Sequence, residues 1–329
     1  MGLTPGQRVD HDQYEIVREL GRGRFGITYL ARRTDDQSRW AIKILNPELL
    51  ATATEPERQR LKRKFWQEAV KLAQCSGRTP YIVQAGMPFE AGEMVCLPME
   101  YVDGLSLADR ADRILPQTLA LKYIQQIGEA LAVVHQQGLV HRDIRPGNIL
   151  VRMQRQEAVL TDFGLAMACD TELTTARTQE RKDGFAPLEL YLGETVGRAT
   201  DIYGLAATLY ELLTGEIPVS ALERKANNVE LIPPRVKNPE ISSQVAKAIA
   251  SGMALQADQR PRSVQDWFNQ LGLKPDAEPV PAKTVNWEKW GVIWAAVAAI
   301  VGGIALIPVF MDSFKPESTD PTPTNQPSP

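Results

Sequence analysis

The chain has 329 residues, with 37 Lys and Arg against 40 Asp and Glu, which gives a formal net charge of −3. This balance provides no global positive field, so the composition argues against nucleic acid as a partner. The three cysteines are odd in number and show no metal-binding or paired spacing, so we expect reduced thiols in a cytosolic domain. The length is sufficient for two or three compact lobes.

Residues 1–13 contain no apolar run, so we expect an N-terminal tail without a cleavable signal. The stretch "ELGRGRFGITYLARR" that follows predicts a strand, a tight turn and a second strand. Gly21, Gly23 and Gly26 form G-x-G-x-x-G, in which backbone N–H groups can approach a phosphate closely. A dinucleotide-binding turn would open a helix, whereas residues 27–30 favour a strand.

Lys43 lies in the apolar strand "RWAIKIL", where a buried ammonium group is costly unless it has an anionic partner. The alternative is an edge lysine whose amine reaches water. The next segment, "RQRLKRKFWQEAVKLA", predicts an amphipathic helix with Glu68 on or beside its inward face. Glu68 is therefore the predicted partner of Lys43. The basic residues of this helix are interpreted as a solvated face: Arg58, Arg60, Lys62, Arg63 and Lys64.

The segment "HRDIRPGNIL", residues 141–150, places a carboxylate five positions before an amide and leads into an apolar strand. With the glycine turn, "AIK", "DFG", "GFAPLE", "DIYGLA" and "RPRS" in that order, residues 14–272 resemble a eukaryotic-like bacterial serine/threonine protein kinase of the membrane-anchored type. The resemblance implies an α+β, bilobal fold. The small β-rich lobe would cover residues 14–103 and the larger α-helical lobe residues 104–272.

The resemblance also implies catalytic roles. Asp143 would orient the acceptor hydroxyl or take its proton, and Lys43, oriented by Glu68, would hold the α- and β-phosphates of ATP. Arg145 stands where related kinases carry a lysine that reaches the γ-phosphate.

The resemblance further implies cofactor and nucleotide contacts. Asn148 and Asp162 would bind magnesium, with manganese as a substitute. For Met99, the expected gatekeeper, and for Leu150 the alternative is plain core packing. The implied ATP-binding residues are Leu20, Gly21, Gly23, Gly26, Thr28, Ala41, Lys43, Met99, Glu100, Val102 and Leu150.

Four further residues are expected to be structural. Glu189 should form a buried ion pair with Arg260, and Asp201 should accept hydrogen bonds from the backbone of the catalytic loop. His141 is interpreted as a packed residue and not as a base or ligand.

The sequence departs from the family pattern at two positions. Arg145 replaces the usual lysine, and alignment on "GFAPLE" places Lys182 where a threonine is usual. A cation at position 182 would lower the pKa of Asp143. These departures support one alternative, a catalytically impaired pseudokinase that acts as a membrane-tethered, nucleotide-binding scaffold. A separate alternative is a small-molecule phosphotransferase on a related fold. Glu189 and Arg260 argue against the latter, because they belong to kinases that dock polypeptides.

Arg142 precedes Asp143 and, by the resemblance, can bind a phosphate on the activation loop. The alternative is a polar loop without a phosphosite. Protein substrates are the expected partners, together with a homodimer for autophosphorylation. The candidate phosphosites between "DFG" and "GFAPLE" are Thr171, Thr174, Thr175 and Thr178.

The C-terminal part has a different composition. Residues 273–289 predict a Pro-rich linker, and residues 312–329 a disordered Pro-rich tail. Residues 290–311 carry no charge and, as a helix, would span roughly 30 Å, so they predict one transmembrane helix. The alternative is a buried core helix. We expect a single-pass protein of the inner membrane, with the kinase domain cytoplasmic and the short tail outside.

Overall fold

The computed structural model describes residues 2–23, 25–152, 155–163 and 184–274. The strands are β1 (Arg8–Val9), β2 (Tyr14–Arg22), β3 (Gly26–Arg33), β4 (Arg39–Leu45), β5 (Phe89–Ala91), β6 (Met94–Glu100), β7 (Gly104–Ser106), β8 (Ile149–Arg152) and β9 (Glu157–Leu160). The helices are α1 (Pro47–Thr52), α2 (Glu55–Ser76), α3 (Gln117–Gln136), α4 (Leu188–Leu192), α5 (Arg198–Thr214), α6 (Ala221–Ala226), α7 (Pro234–Lys237), α8 (Ser243–Gly252) and α9 (Val264–Leu271).

The small lobe is built on an antiparallel sheet with strand order β1-β2-β3-β4-β6-β5. Residues alternate between the two faces of each strand, so one strand can contribute to two apolar layers. On β4, Ile42 and Ile44 belong to a core on one face, while Ala41 and Leu45 belong to the main core on the other. The two-residue period in "RWAIKIL" therefore places Lys43 on the same face as Ala41.

Residues before Tyr14 are part of this lobe. Arg8 and Val9 pair with Glu15 and Tyr14 on β2, and Val9 is buried. Leu3 is also buried, in the core on the outer face of the sheet. The segment expected to be a tail thus covers an apolar face, which compensates for the entropy of ordering it.

Helix α2 lies against the inner face of the sheet. Its first turn is closed by a capping box, in which the backbone N–H of Thr54 donates to the Glu57 carboxylate at 2.7 Å. The inward stripe recurs every three or four residues, as predicted, and is fully buried: Leu61, Phe65, Ala69 and Leu72. Because Glu68 directly precedes Ala69, the helix carries it to the edge of the same inward face.

The large lobe is helical and is organised around α5, most of which is buried. Helices α3, α8 and α9 pack with α5 in one core. Gly204 on α5 lies directly under the catalytic loop, since a Cβ atom there would come within 2.7 Å of the carbonyl oxygen of Ile144. The loop that carries Asp143 therefore rests on the most buried helix of the lobe.

A second sheet, β7-β8-β9, follows the hinge between the lobes, residues 100–102. Across the described ranges, no helix is both long and apolar enough to cross a bilayer. The transmembrane helix predicted at residues 290–311 lies outside these ranges, as do the predicted linker beyond residue 274 and the predicted tail.

Candidate active site

A cavity of about 560 Å³ lies between the glycine-rich turn, the hinge and the catalytic loop. This volume is in the range of small-molecule sites. It brings together Lys43, Asp143, Asn148 and Asp162, which come from three separate stretches of the sequence. Its other lining residues include the expected ATP-binding residues Leu20, Gly21, Gly23, Gly26, Thr28, Ala41, Met99, Glu100, Val102 and Leu150.

The glycine-rich turn joins β2 to β3 and covers the cavity. The Gly23 N–H donates to the Gly26 carbonyl at 2.8 Å, which closes the turn. A Cβ atom at Gly26 would lie 2.9 Å from the Ile44 carbonyl oxygen and 3.3 Å from Cε of Lys43, so only glycine fits there. The buried Asn46 amide donates to the Gly23 carbonyl at 3.0 Å and fixes the turn to the end of β4.

Lys43 contacts Asp162, whose Oδ1 lies 2.9 Å from the lysine Nζ. The ammonium group of Lys43 holds the pKa of Asp162 below its ordinary value, so this carboxylate is ionised at neutral pH. Asp162 has φ of 53°, a left-handed conformation that is uncommon outside glycine. The cavity therefore contains a fixed cation beside a fixed anion.

The predicted pair between Lys43 and Glu68 is not present. Glu68 instead lies 3.6 Å from Nη1 of Arg142, and burial raises the pKa of its carboxyl to about 7. The sequence placed Glu68 correctly at the inward edge of α2, but Lys43 is engaged by Asp162 and Arg142 is the cation that Glu68 reaches. In this arrangement Glu68 does not orient Lys43.

The catalytic loop joins Asp143 to Asn148 directly. The Asn148 side-chain amide donates to Oδ2 of Asp143 at 2.9 Å and to the Asp143 carbonyl at 2.7 Å. The spacing of five residues thus closes a small loop, because the side chain of Asn148 bonds back to the backbone and to the side chain of Asp143. With the NH₂ group of Asn148 so engaged, its amide oxygen is the atom that can face a cation.

Two buried side chains hold this loop from below. Asp201 accepts hydrogen bonds from the backbone N–H groups of His141 and Arg142 at 2.9 and 2.8 Å, which is the contact predicted for it. These bonds support Arg142 in a left-handed conformation with φ of 70°. His135 is buried, and its Nε2 lies 2.8 Å from Oδ2 of Asp201.

His141 is a packed residue, as predicted. Its ring is buried with its centroid 4.7 Å from that of Phe163, and its Nε2 lies 2.9 Å from the Thr161 carbonyl oxygen. Burial lowers the pKa of His141, so the ring is neutral. The geometry assigns the proton to Nε2, which donates to Thr161, and leaves Nδ1 to accept from the Asp143 N–H at 3.3 Å.

The donor set fits a magnesium ion bound together with phosphates. Asp162 supplies an ionised carboxylate and Asn148 an amide oxygen, both facing one cavity. In the part of the chain that the structure describes, no cluster of three or more His, Cys, Asp or Glu side chains forms a complete metal cage. Magnesium is usually held by one or two carboxylates plus substrate phosphates, so these two residues are a sufficient set.

The segment that would dock a substrate is anchored by the pair predicted from the sequence. Nη1 and Nη2 of Arg260 donate to Oε1 and Oε2 of Glu189 at 2.7 and 3.0 Å, with both side chains buried. Arg145 faces this segment, since its guanidinium carbon lies 5.6 Å from the Phe185 ring centroid. The Arg145 guanidinium group therefore faces the segment that the Glu189–Arg260 pair anchors, residues 184–189, which we call the docking segment.

The adenine side of the cavity has apolar walls from both lobes. Ala41 pairs with Met99 across β4 and β6, and Leu150 comes from β8 in the large lobe. Ala41 and Met99 are buried in the main core and also line the cavity. For Met99, core packing and pocket lining are therefore both true. Lys182 and the candidate phosphosites Thr171, Thr174, Thr175 and Thr178 lie outside the described residues.

Two contacts in this site were not identified from the sequence. Asn46 follows β4, and only its burial shows that it fixes the glycine-rich turn. Arg142 is expected to bind a phosphate on the activation loop, which lies outside the described residues. Its contact with Glu68, 74 positions earlier in the chain, was not identified from the sequence. A buried Asn after a strand is a weak signal in the sequence. A contact between residues 74 positions apart leaves no local signal in the sequence.

The raised pKa of Glu68 predicts a pH effect on stability. The folded state favours the protonated carboxyl, so this stabilisation is complete below pH 4.5 and is lost as the pH rises through about 7. From pH 5 to pH 8, wild type should lose on the order of 3 kcal/mol of unfolding free energy relative to Glu68→Gln. Urea unfolding of both proteins at several pH values measures this difference. Parallel curves would contradict the assignment.

The fold and the site together define a class. The chain belongs to the protein kinase family, because the family described as "Protein kinase domain" matches residues 14–269.

Two curated bacterial serine/threonine-protein kinases are similar to this chain. The chain is 30% identical to the serine/threonine-protein kinase pkn2 of Myxococcus xanthus over 66% of this chain and 26% of that protein. It is 31% identical to PknJ of Mycobacterium tuberculosis over 73% of this chain and 42% of that protein. The chain thus spans less than half the length of these two curated relatives.

Solved structures show the same fold. The apo form of PpkA-294 is similar with a TM-score of 0.68 and 26% identity, over 82% of this chain and 99% of that one. A double mutant of the PknI kinase domain of Mycobacterium tuberculosis is similar with a TM-score of 0.64 and 25% identity, over 83% of this chain and 98% of that one.

Proposed function

We propose that this chain is a protein serine/threonine kinase that transfers the γ-phosphate of ATP to Ser or Thr side chains in bacterial signalling. The observation that carries the proposal is the convergence of Lys43, Asp143, Asn148 and Asp162 on one cavity of about 560 Å³. Phosphoryl transfer depends mainly on positioning and charge neutralisation, and these four residues supply both. The names of the bacterial relatives support the choice of Ser and Thr as acceptors.

Each residue has a task in the transfer step. Lys43 neutralises the α- and β-phosphates, and the glycine-rich turn offers backbone N–H groups to the phosphates beneath it. The acceptor oxygen attacks the γ-phosphorus, the bond to the β–γ bridging oxygen breaks, and ADP leaves. The hydroxyl proton passes to the carboxylate oxygen of Asp143 that does not accept from Asn148. Arg145 neutralises the γ-phosphate oxygens from the side of the docking segment.

Asn148 and Asp162 would hold magnesium, or manganese in its place, and the metal when bound supplies charge neutralisation at the phosphates. Within the residues that the structure describes, no cluster of three or more His, Cys, Asp or Glu side chains is present, so phosphates and water would complete its ligands. Asn148 has a second task, because its amide NH₂ group orients the Asp143 carboxylate.

The test uses the full chain, γ-labelled ATP, magnesium and a generic basic protein. We expect label on the basic protein and on the chain itself, and no label with Asp143→Asn. Label that persists in Asp143→Asn would contradict the proposal. No label together with thermal stabilisation by ATP would favour the scaffold alternative.

Autophosphorylation would switch the contact of Arg142. A phosphate on one of the candidate threonines could draw Arg142 away from Glu68, since a doubly charged phosphate competes well for a guanidinium group. Glu68 would then be available to Lys43, as in the arrangement expected from the sequence. A homodimer would allow one copy to phosphorylate the other.

Phosphorylation of the loop should therefore accompany activity. We expect the active protein to carry phosphate on at least one of the four candidate threonines, and replacement of all four by Ala to lower kcat about tenfold or more. Mass mapping and steady-state kinetics measure both. A fully active sample without phosphate between residues 171 and 178 would contradict this mechanism.

The apolar segment at residues 290–311 supports a membrane anchor as part of the proposal. Trp287, Trp290 and Trp294 stand at one end of this segment, as residues of membrane interfaces do. ATP and reduced thiols require the kinase domain to be cytoplasmic. Membrane fractionation with protease treatment of intact cells tests this location, and kinase domain released by protease from outside would contradict it.

A further inference from the structure

Arg152 connects three segments that border the nucleotide cavity. Its Nη2 donates to Oε1 of Glu100 at 2.5 Å, and its Nη1 donates to the Pro80 carbonyl at 2.9 Å. The same Oε1 of Glu100 accepts from the Gln84 backbone N–H at 3.0 Å. We refer to Arg152, Glu100, Pro80 and Gln84 as the hinge clamp.

The hinge clamp joins the two lobes. Glu100 ends β6 of the small lobe, at the start of the hinge, while Arg152 ends β8 of the large lobe. Pro80 and Gln84 belong to the loop that follows α2. The same loop is paired with β9, since the Leu160 N–H donates to the Tyr81 carbonyl at 2.8 Å. One guanidinium group therefore fixes the hinge and the base of α2 to the same strand pair.

The environment makes these contacts stronger than a surface ion pair. The side chains of Arg152 and Glu100 are 21% and 27% exposed, so water screens them only in part. Glu157 adds a second carboxylate 3.8 Å from Nη1 of Arg152. Charge-assisted hydrogen bonds of this kind fix the relative positions of the two groups as well as stabilising their contact.

The clamp lies on the adenine side of the cavity and away from the phosphates. Glu100 and Leu150 both line the cavity, and Leu150 is two positions before Arg152 on β8. Residues two apart on a strand share a face. Strand β8 therefore has two tasks at the adenine end of the cavity. Its Leu150 supplies an apolar wall, and its Arg152 holds the hinge through Glu100. The phosphate-facing groups, Lys43 and Asp162, take no part in these contacts.

We propose that Arg152 is a positioning residue for nucleotide binding, which holds the hinge at the distance from Leu150 that an adenine ring requires. The proposal rests on the proposed function. Loss of the guanidinium group leaves the Glu100 carboxylate half-buried without its cation, so the hinge shifts toward water. Recognition of the base weakens, while the groups that bind the phosphates keep their places.

The test compares full-length wild type with Arg152→Ala, Arg152→Lys and the control Arg155→Ala. Arg155 is a near neighbour that also faces Glu157, but at 4.0 Å and with a side chain 72% exposed. For Arg152→Ala we expect the KM for ATP and the Kd for adenosine to rise about tenfold, with kcat changed less than about twofold. The Kd for magnesium tripolyphosphate should not change. Arg152→Lys should be intermediate, and Arg155→Ala should match wild type.

Several outcomes would overturn the proposal. One is a loss of kcat without a rise in KM, and another is equal weakening of adenosine and tripolyphosphate. A third is identical behaviour of Arg152→Ala and Arg155→Ala. If Arg152→Ala does not fold, the variant Glu100→Gln is used instead, because it keeps the side-chain volume and removes the charge. We expect its Kd for adenosine to rise severalfold. An unchanged Kd would overturn the proposal. Wild type that binds adenosine but transfers no phosphate would overturn the proposed function alone.

Discussion

Asp162→Asn should lower kcat for phosphate transfer by about a thousandfold while the protein remains folded. Asparagine keeps the size of the side chain and an oxygen that can accept a hydrogen bond from Nζ of Lys43. In wild type, Nζ lies 2.9 Å from Oδ1 of Asp162. It removes the negative charge that both the metal and Lys43 require. Because the Asp162 side chain is 47% exposed, its ion pair contributes little to stability, and we expect a loss of no more than about 1 kcal/mol.

The pH dependence gives this prediction a second signature. Lys43 holds the pKa of Asp162 below its ordinary value, so wild type has the ionised form throughout pH 6 to 8. The ratio of wild-type to variant kcat should then be constant over this range. Steady-state kinetics and thermal unfolding measure both quantities, with the exposed Asp258→Asn as the control. A variant with more than a tenth of wild-type kcat would exclude Asp162 from the machinery.

Arg260→Ala should destabilise the large lobe by about 3–5 kcal/mol. The guanidinium group has no exposed surface, and it donates to both oxygens of Glu189 and to backbone carbonyls of the helix ends around it. Among the described residues, its removal leaves the buried Glu189 carboxylate with the Thr200 hydroxyl, at 2.9 Å, as its remaining side-chain donor. A buried charge without its counter-ion is costly, which sets the size of the effect.

The neighbouring Arg262 provides the matched control, because its side chain is exposed. Arg262→Ala should change the free energy of unfolding by less than about 0.5 kcal/mol. Arg260→Ala should lower Tm by about 10 °C, since a domain of this size loses a few degrees for each kcal/mol. Equal Tm values for the two variants would show that the Glu189–Arg260 pair does not anchor the docking segment.

Much of this architecture was predictable because short-range patterns carry it. The glycine spacing predicts a turn between strands, and the Gly26 backbone lies so close to Ile44 that no side chain fits. The spacing from Asp143 to Asn148 predicts two groups on one loop, and the structure joins them by a hydrogen bond. The pair Glu189–Arg260 spans 71 positions, but it was inferred by resemblance and not by distance along the chain.

The partner of Glu68 was not predictable in the same way. Helical periodicity shows which face of α2 turns inward, but it does not give the distance of that face from β4. In the structure Glu68 lies 3.6 Å from Nη1 of Arg142, while Lys43 is paired with Asp162. Periodicity along α2 does not distinguish this arrangement from a Lys43–Glu68 pair. Arg152 was missed for a related reason. Its partners Glu100 and Pro80 are 52 and 72 positions away, and no local pattern marks them.

The central claim is that Lys43, Asp143, Asn148 and Asp162 act as one unit on ATP, and the combined variant Asp143→Asn/Asp162→Asn tests it most directly. Residues that act as a unit lose little more together than apart. We expect kcat of the double variant to equal, within about threefold, that of the less active single variant. Losses that multiply, so that the double variant falls by the product of the two single effects, would contradict a shared site.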